Sequence, residues 1–363
     1  MLESFGIHSH HHHHHHSADD PTKPPDPSLR KPVAIIGGFL GAGKTTLLNH
    51  ILTQERDLRK EVIIREFGAV AVDHELIEEE TANIVLVSGG CLFTDPQTIL
   101  YWTLENLYSR CDKTGGSNFS WQDVDFDYLV LETSGLDIPE YLGELFFLDR
   151  LRDHYRLDSY IVVVDAEYGE LNLDEYKRAC EQIAFADILL VNKVDLADEE
   201  TLRHLERRLR RINGLAQIYR TEYTRIGLDK ILNVRLFDAP PDGDGFCSVS
   251  NDGTAVRHDE EDNVDTFQSV VLNEARPMDK DKVNVWIADL FSQRGHKILR
   301  SKGFLNFAGY DHRFVFQGVR KTFHSKSDRL WRPDEERKST IVLIGEGLDD
   351  ADALQKSFSE CVA

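Results

Sequence analysis

Val33-Ala34-Ile35-Ile36-Gly37-Gly38-Phe39-Leu40-Gly41-Ala42-Gly43-Lys44-Thr45-Thr46-Leu47-Leu48-Asn49 decides how the rest of the chain is read. A short β-branched apolar run ends in glycines and passes straight into a helical pattern of apolar residues over Thr45 to Gln54. Gly38 to Thr45 fits G-x-x-x-x-G-K-[ST], the loop that cradles nucleotide phosphates. Glycines let the backbone curl until successive N–H groups point inward at an anion. Gly38, Gly41, Ala42, Gly43, Lys44, Thr45 and Thr46 are therefore the expected phosphate-binding set. Lys44 reaches the β/γ oxygens, the Thr45 hydroxyl is offered to Mg²⁺, and the helix N-terminus adds a favourable dipole.

Working outward, Asp127-Tyr128-Leu129-Val130-Leu131-Glu132-Thr133-Ser134-Gly135 is an apolar strand that delivers an acid at its end. Beside a phosphate loop, Glu132 is placed to order the metal's water or the attacking water, and the Gly135 N–H to sense a γ-phosphate. Lys44, Glu132 and Gly135 form the expected catalytic set. A further buried strand, Asp187 to Val191, runs into Asn192-Lys193-Val194-Asp195. An aspartate in that turn accepts from both the ring N1–H and the exocyclic amine of guanine, a pattern adenine lacks. Mismatch would leave buried polar groups unpaired, so discrimination is large. Asn192, Lys193 and Asp195 are thus expected to select GTP and GDP over adenine nucleotides.

Between these motifs, Glu61 to Arg65, Asn83 to Val87 and Tyr160 to Asp165 read as buried strands and Gln97 to Ser109 as a helix. Their alternation through residue 233 implies an α/β fold with a mostly parallel sheet covered on both faces. Asp238 to Asp265 is rich in Asp, Gly and Asn and reads as a flexible connector. Beyond it, strand-like Thr266 to Leu272, helical Lys280 to Gln293, the stretch Ile298 to Gly303, strand-like Phe304 to Phe307, the stretch Arg313 to Val319, a last strand at Ser339 to Ile344 and a helix over Asp350 to Cys361 predict a small C-terminal α+β domain. The expected organisation is a leader at 1–30, a P-loop domain at 31–237, a linker at 238–265 and the second domain at 266–363. Met1 to Ser17 carries His8 and His10 to His16, a purification-tag pattern rather than part of the fold.

The chain has 363 residues and a formal net charge of −21, which opposes a phosphate backbone and excludes general nucleic-acid binding. No apolar run approaches the ~20 residues of a membrane span. Five scattered cysteines (Cys91, Cys111, Cys180, Cys247, Cys361) without a CxxC pair fit a reducing cytoplasm better than a disulfide scaffold.

From Val33 to Cys361 the sequence resembles the CobW-like P-loop GTPases, relatives of the urease and hydrogenase maturation GTPases. The resemblance rests on Gly37 to Leu47, Glu66-Phe67-Gly68, Glu132-Thr133-Ser134-Gly135-Leu136 and Asn192-Lys193-Val194-Asp195-Leu196. Leu299-Arg300-Ser301-Lys302-Gly303, Phe316-Gln317-Gly318-Val319 and Ile344-Gly345 carry it into the second domain. It implies slow GTP hydrolysis and delivery of Zn²⁺ or Co²⁺ to a metalloprotein client. The sequence departs from the family at its C-x-C-C metal motif, where this chain has Cys91-Leu92-Phe93-Thr94. A phenylalanine offers no ligand, and a threonine hydroxyl is a poor substitute for thiolate. Arg65 stands where the family has Asn, and Ala69 where an acid is common. The remaining candidate ligands are Cys91, Glu66, Asp73 and His74 in a mixed site, with the segment from Glu66 to His74 reordering between GTP and GDP states. The alternative is a GTP-gated adaptor that recruits a client and has lost the metal. The sequence assigns neither the client nor the oligomeric state.

Overall fold

The computed structural model describes residues 30–54, 58–66, 83–88, 96–109, 126–135, 137–237 and 266–363. The leader, the linker at 238–265, and the segments holding Phe67 to His74 and Cys91 to Thr94 lie outside the described residues.

Seven strands, β1 (Lys31–Gly38), β2 (Lys60–Glu66), β3 (Asn83–Ser88), β4 (Tyr128–Glu132), β5 (Tyr155–Asp165), β6 (Ile188–Asn192) and β7 (Gln217–Thr221), form one sheet in the order β3-β2-β4-β1-β5-β6-β7. Every pairing is parallel. Near-continuous apolar strands such as Val33 to Ile36 and Ile188 to Val191 are buried on both faces, as a helix-covered parallel sheet requires. One face packs on α1 (Lys44–Gln54) and the apolar run Leu228, Ile231 and Leu232. The other packs on α2 (Pro96–Ser109), α3 (Pro139–Leu145), α4 (Asp149–His154), α5 (Gly169–Glu175), α6 (Lys177–Phe185) and α7 (Glu199–Ile212). Asp198 caps α7 by accepting the Thr201 N–H at 2.8 Å. The order puts β1 between β4 and β5, so the loop after β1 opens beside the acid that ends β4.

A second sheet contains β8 (Phe267–Glu274), β9 (Ile298–Leu305), β10 (His312–Val319), β11 (Thr322–Leu330) and β12 (Ser339–Glu346) in the order β11-β10-β9-β12-β8, all antiparallel. One face buries α8 (Lys280–Arg294) and α9 (Ala351–Ser359) through Val283, Ile287, Phe291, Leu354 and Phe358. The architecture is the expected P-loop α/β sheet with an α+β unit after it.

Three details differ from the sequence reading. β9 spans Ile298–Leu305, where a strand was expected only at Phe304 to Phe307. β11 was not anticipated: Thr322-Phe323-His324-Ser325-Lys326-Ser327-Asp328 has little apolar alternation because it is an edge strand bonded on one side only. β5 begins at Tyr155, earlier than expected, because Asp158 interrupts the apolar run. That carboxylate is fully buried but accepts the Tyr128 hydroxyl at 2.6 Å, Arg156 Nη1 at 2.6 Å and the Arg235 N–H at 2.9 Å. A buried charge satisfied this way is compatible with a strand interior.

The two sheets share a core. Phe267, Leu299, Val319, Val342 and Ile344 of the second sheet join the apolar cluster that contains α6. At its centre Arg300 is 1 % exposed. Its Nη1 donates to the Phe185 carbonyl at 2.6 Å, its Nη2 pairs with Asp187, and its guanidinium lies 4.9 Å from the Phe237 ring centroid. Lys302 Nζ reaches the same Asp187 Oδ1 at 3.2 Å and also donates to the Leu236 carbonyl. Asp187 Oδ2 accepts the Tyr160 N–H at 2.8 Å. Burial pushes the Asp187 carboxyl up, but Arg300 and Lys302 outweigh it and hold it below the usual carboxylate range. The Arg-Ser-Lys-Gly sequence is thereby explained as the plug that fits a buried anion at the start of β6. Elsewhere on the boundary, Arg320 at the β10–β11 turn pairs with Glu140 of α3, and Lys177 of α6 with Glu346 of β12.

Candidate functional site

The site forms at the carboxyl ends of β1, β4, β5, β6 and β7, where an open parallel sheet offers a crevice. Between β1 and α1 the chain turns through Gly38 at φ +139° and Gly43 at φ +116°. A Cβ on Gly38 would sit 2.5 Å from the Val163 carbonyl oxygen, and one on Gly43 would sit 2.7 Å from Asn192 Nδ2. Both positions therefore exclude a side chain twice over, by conformation and by space. Lys44 is buried and its Nζ folds back on the Phe39 carbonyl at 3.4 Å. Leu40, at the tip of the loop, is 82 % exposed.

β4 delivers its acid directly to this loop. Thr45 Oγ1 donates to Glu132 Oε1 at 2.9 Å, and Glu132 is 2 % exposed. A hydroxyl and a buried carboxylate facing each other at the mouth of an anion cradle are the hard oxygen donors that Mg²⁺ takes, so these residues fit that ion. The Thr133 N–H and hydroxyl both donate to the Ile36 carbonyl, at 2.9 and 3.0 Å, tying the ends of β4 and β1 together. Gly135 then lies against the loop: a Cβ there would be 3.1 Å from the Leu40 nitrogen and 3.5 Å from the Gly38 oxygen. Its carbonyl accepts Gln182 Nε2 of α6 at 3.0 Å.

The third group comes from β6. Asn192 is 2 % exposed and bridges two loops. Its Nδ2 donates to the Ala42 carbonyl at 3.0 Å, while its Oδ1 accepts the Thr224 N–H at 2.8 Å and the Thr221 hydroxyl at 3.2 Å. Lys193 holds a left-handed conformation, φ +62°, and its Nζ pairs with Asp165 Oδ2 at 2.7 Å. Asp165 Oδ1 accepts the Glu167 N–H at 2.9 Å, so this carboxylate orders the loop after β5 as well. Asp195 lies in the short 3₁₀ turn Val194–Leu196 and is exposed to solvent. The arrangement thus offers an anion cradle, a pair of hard oxygens and an exposed carboxylate, all fastened to one sheet edge.

The structure brings Gly38, Gly41, Ala42, Gly43, Lys44, Thr45, Glu132, Gly135 and Asn192 together, with Thr46 in the first turn of α1. It adds Asp165, Thr221 and Thr224, which sequence reasoning passed over. Asp165 carried a usable signal, an acid at the end of a buried strand. Thr224 acts through its backbone and carried none. Of the expected metal ligands, Asp73, His74 and Cys91 lie outside the described residues, and Glu66 is described only as the last residue of β2. Among the described residues no cluster of three or more His, Cys, Asp or Glu could hold a metal ion. His50 Nε2 lies 2.8 Å from the Ile226 carbonyl, and His204 Nδ1 lies 2.7 Å from Glu170 Oε1. No described helix is long and apolar enough to cross a membrane.

Residues 32–220 match the family model described as the CobW/HypB/UreG nucleotide-binding domain, and residues 267–362 match that of the cobalamin synthesis protein cobW C-terminal domain. The zinc chaperone YjiA of Escherichia coli is 33 % identical over 316 residues, covering 86 % of this chain and 93 % of that protein. The zinc chaperone CobW of Pseudomonas aeruginosa is 29 % identical over 357 residues, covering 88 % of each. The crystal structure of the Zn(II)-bound YjiA GTPase superimposes with a TM-score of 0.69 at 28 % identity, covering 92 % of this chain and 99 % of that one.

Proposed function

Because the chain belongs to the CobW/HypB/UreG family and carries the cobW C-terminal domain as well, we propose that it is a GTPase that handles Zn²⁺ or Co²⁺ for a metalloprotein client. The observation that carries the nucleotide part is the Asn192 bridge: one buried amide fastens the phosphate loop at Ala42 to the loop after β7 at Thr224. That fixes the distance between a phosphate cradle and the turn bearing Asp195. The domain division at 31–237 and 266–363 belongs to the same proposal, as does a cytoplasmic location, which rests on the scattered cysteines.

In this reading the Gly41 to Thr45 amides hold the phosphates and Lys44 neutralises charge developing on the β–γ bridge. Thr45 and Glu132 are the residues that would hold Mg²⁺, which when bound would supply charge neutralisation to the phosphates. Gly135 donates to the γ-phosphate from its place against the loop. Asn192 and Lys193 keep the base site open while Asp195 reads the guanine edge. No covalent nucleophile is needed, so turnover is slow without a partner. The metal-free adaptor alternative is not favoured, since the relatives named above are zinc chaperones.

Two measurements test this. Asp195→Asn is expected to shrink the GTP-over-ATP affinity ratio by about 100-fold, read by calorimetric titration; an unchanged ratio removes Asp195 from the base site. The cargo is tested on protein freed of the histidine tract. Cys91→Ala is expected to lower Zn²⁺ affinity by about 10-fold or more in competition with a chromophoric chelator. Equal affinity would remove Cys91 from the metal path.

A further inference from the structure

Arg65, where the resembled family has asparagine, ends β2 one residue before Glu66 and is 6 % exposed. Its Nη2 lies 3.0 Å from Asp137 Oδ1, and Asp137 is 4 % exposed. The other oxygen of Asp137 accepts the Ser134 N–H at 2.9 Å, and the Asp137 N–H donates to the Ser134 carbonyl at 3.3 Å. Ser134 and Asp137 are therefore bonded to each other twice, and the one Asp137 carboxylate is shared between the Ser134 backbone and the end of β2. Gly135, next to Ser134, is the residue packed on the phosphate loop.

We propose that Arg65 and Asp137 are positioning residues for GTP hydrolysis: their buried pair holds the Ser134–Gly135 backbone against the phosphate loop. The inference rests on the GTPase reading above. The pair is an expensive way to fill space, because two apolar side chains of similar volume would do so at no loss of stability. Burial holds the Asp137 carboxyl above its ordinary range, outweighing the pull of Arg65 and the Ser134 amide. The geometry gives the pair a task apolar groups could not perform. Asp137 binds the Ser134 backbone, and Arg65 fastens that carboxylate to the sheet. Gln182 fixes the Gly135 carbonyl from α6 at the same time. The backbone that meets a γ-phosphate is thus held from β2 and from α6. Misplacement by about 1 Å at such a centre costs about 100-fold in rate.

The pair also separates positioning from binding, because neither residue belongs to the loop that holds the α and β phosphates. The test is single-turnover GTP hydrolysis and fluorescent-GDP affinity for wild type, Asp137→Asn, Arg65→Asn, Arg65→Lys and the double variant Arg65→Asn/Asp137→Asn. An asparagine at 137 still accepts the Ser134 N–H and loses only the charge. Asp137→Asn and Arg65→Asn are expected to slow hydrolysis by about 10- to 100-fold with GDP affinity unchanged, and Arg65→Lys to recover part of the rate. The double variant leaves no buried charge unpaired, so it folds even where a single variant does not, and it is expected to be as slow as the singles. Wild-type rates in the variants, a fast double variant, or a rate loss matched by an equal loss of GDP affinity would overturn the proposal. Wild-type protein that took up no GTP would instead overturn the GTPase reading.

Discussion

Replacing Arg300 by methionine is expected to destabilise the protein by about 3–5 kcal/mol, the usual consequence of removing one partner of a buried ion pair. The residue is 1 % exposed, and Asp187, left behind, is buried too at 5 %. Lys302 would remain at 3.2 Å, but one ammonium cannot replace a guanidinium that also satisfies the Phe185 carbonyl and lies against Phe237. Equilibrium urea unfolding measures the loss. Adding Asp187→Asn to the variant is expected to recover part of it, because the orphaned charge disappears. A loss below about 1 kcal/mol, in the range of a surface pair, would show that the two sheets are not joined through this contact. Acid should act on the same contact in the wild type. A carboxyl held below its ordinary value contributes stability at neutral pH that is lost as pH falls through the ordinary range toward the depressed one.

Lys44→Ala is expected to lower the GTP hydrolysis rate by about 100- to 1,000-fold, the scale of removing one preorganised charge-stabilising donor from a transition state. Lys44 Nζ lies 3.4 Å from the Phe39 carbonyl, which places the cation inside the phosphate loop. Single-turnover hydrolysis at saturating GTP reads the effect. A rate within about threefold of wild type, far short of that scale, would take Lys44 out of the chemistry.

The nucleotide half was legible because its signals are local. Gly38 and Gly43 are required by backbone geometry within one loop, and Glu132 and Asn192 each end an apolar strand. The folds of both halves followed from the same periodicities. What stayed hidden acts across long sequence separations. Arg65 and Asp137 meet only because β2 lies beside β4, and nothing near either residue announces the other. Arg300 was recognisable as part of a recurrent stretch, but its purpose needs Asp187, placed opposite it only by the packing of β9 on α6. β11 escaped for a different reason, since an edge strand has no second neighbour to demand apolar alternation.

The buried anion at the start of β6 bears on how such chains can be recombined. An N-terminal half with Asp187 is a socket that accepts only a C-terminal half bringing cations at the right depth, and a partner lacking them would seal a naked carboxylate into oil. Exchange of C-terminal halves is therefore restricted by charge as well as by shape, and the lock sits at the start of the strand that leads into the turn bearing Asp195.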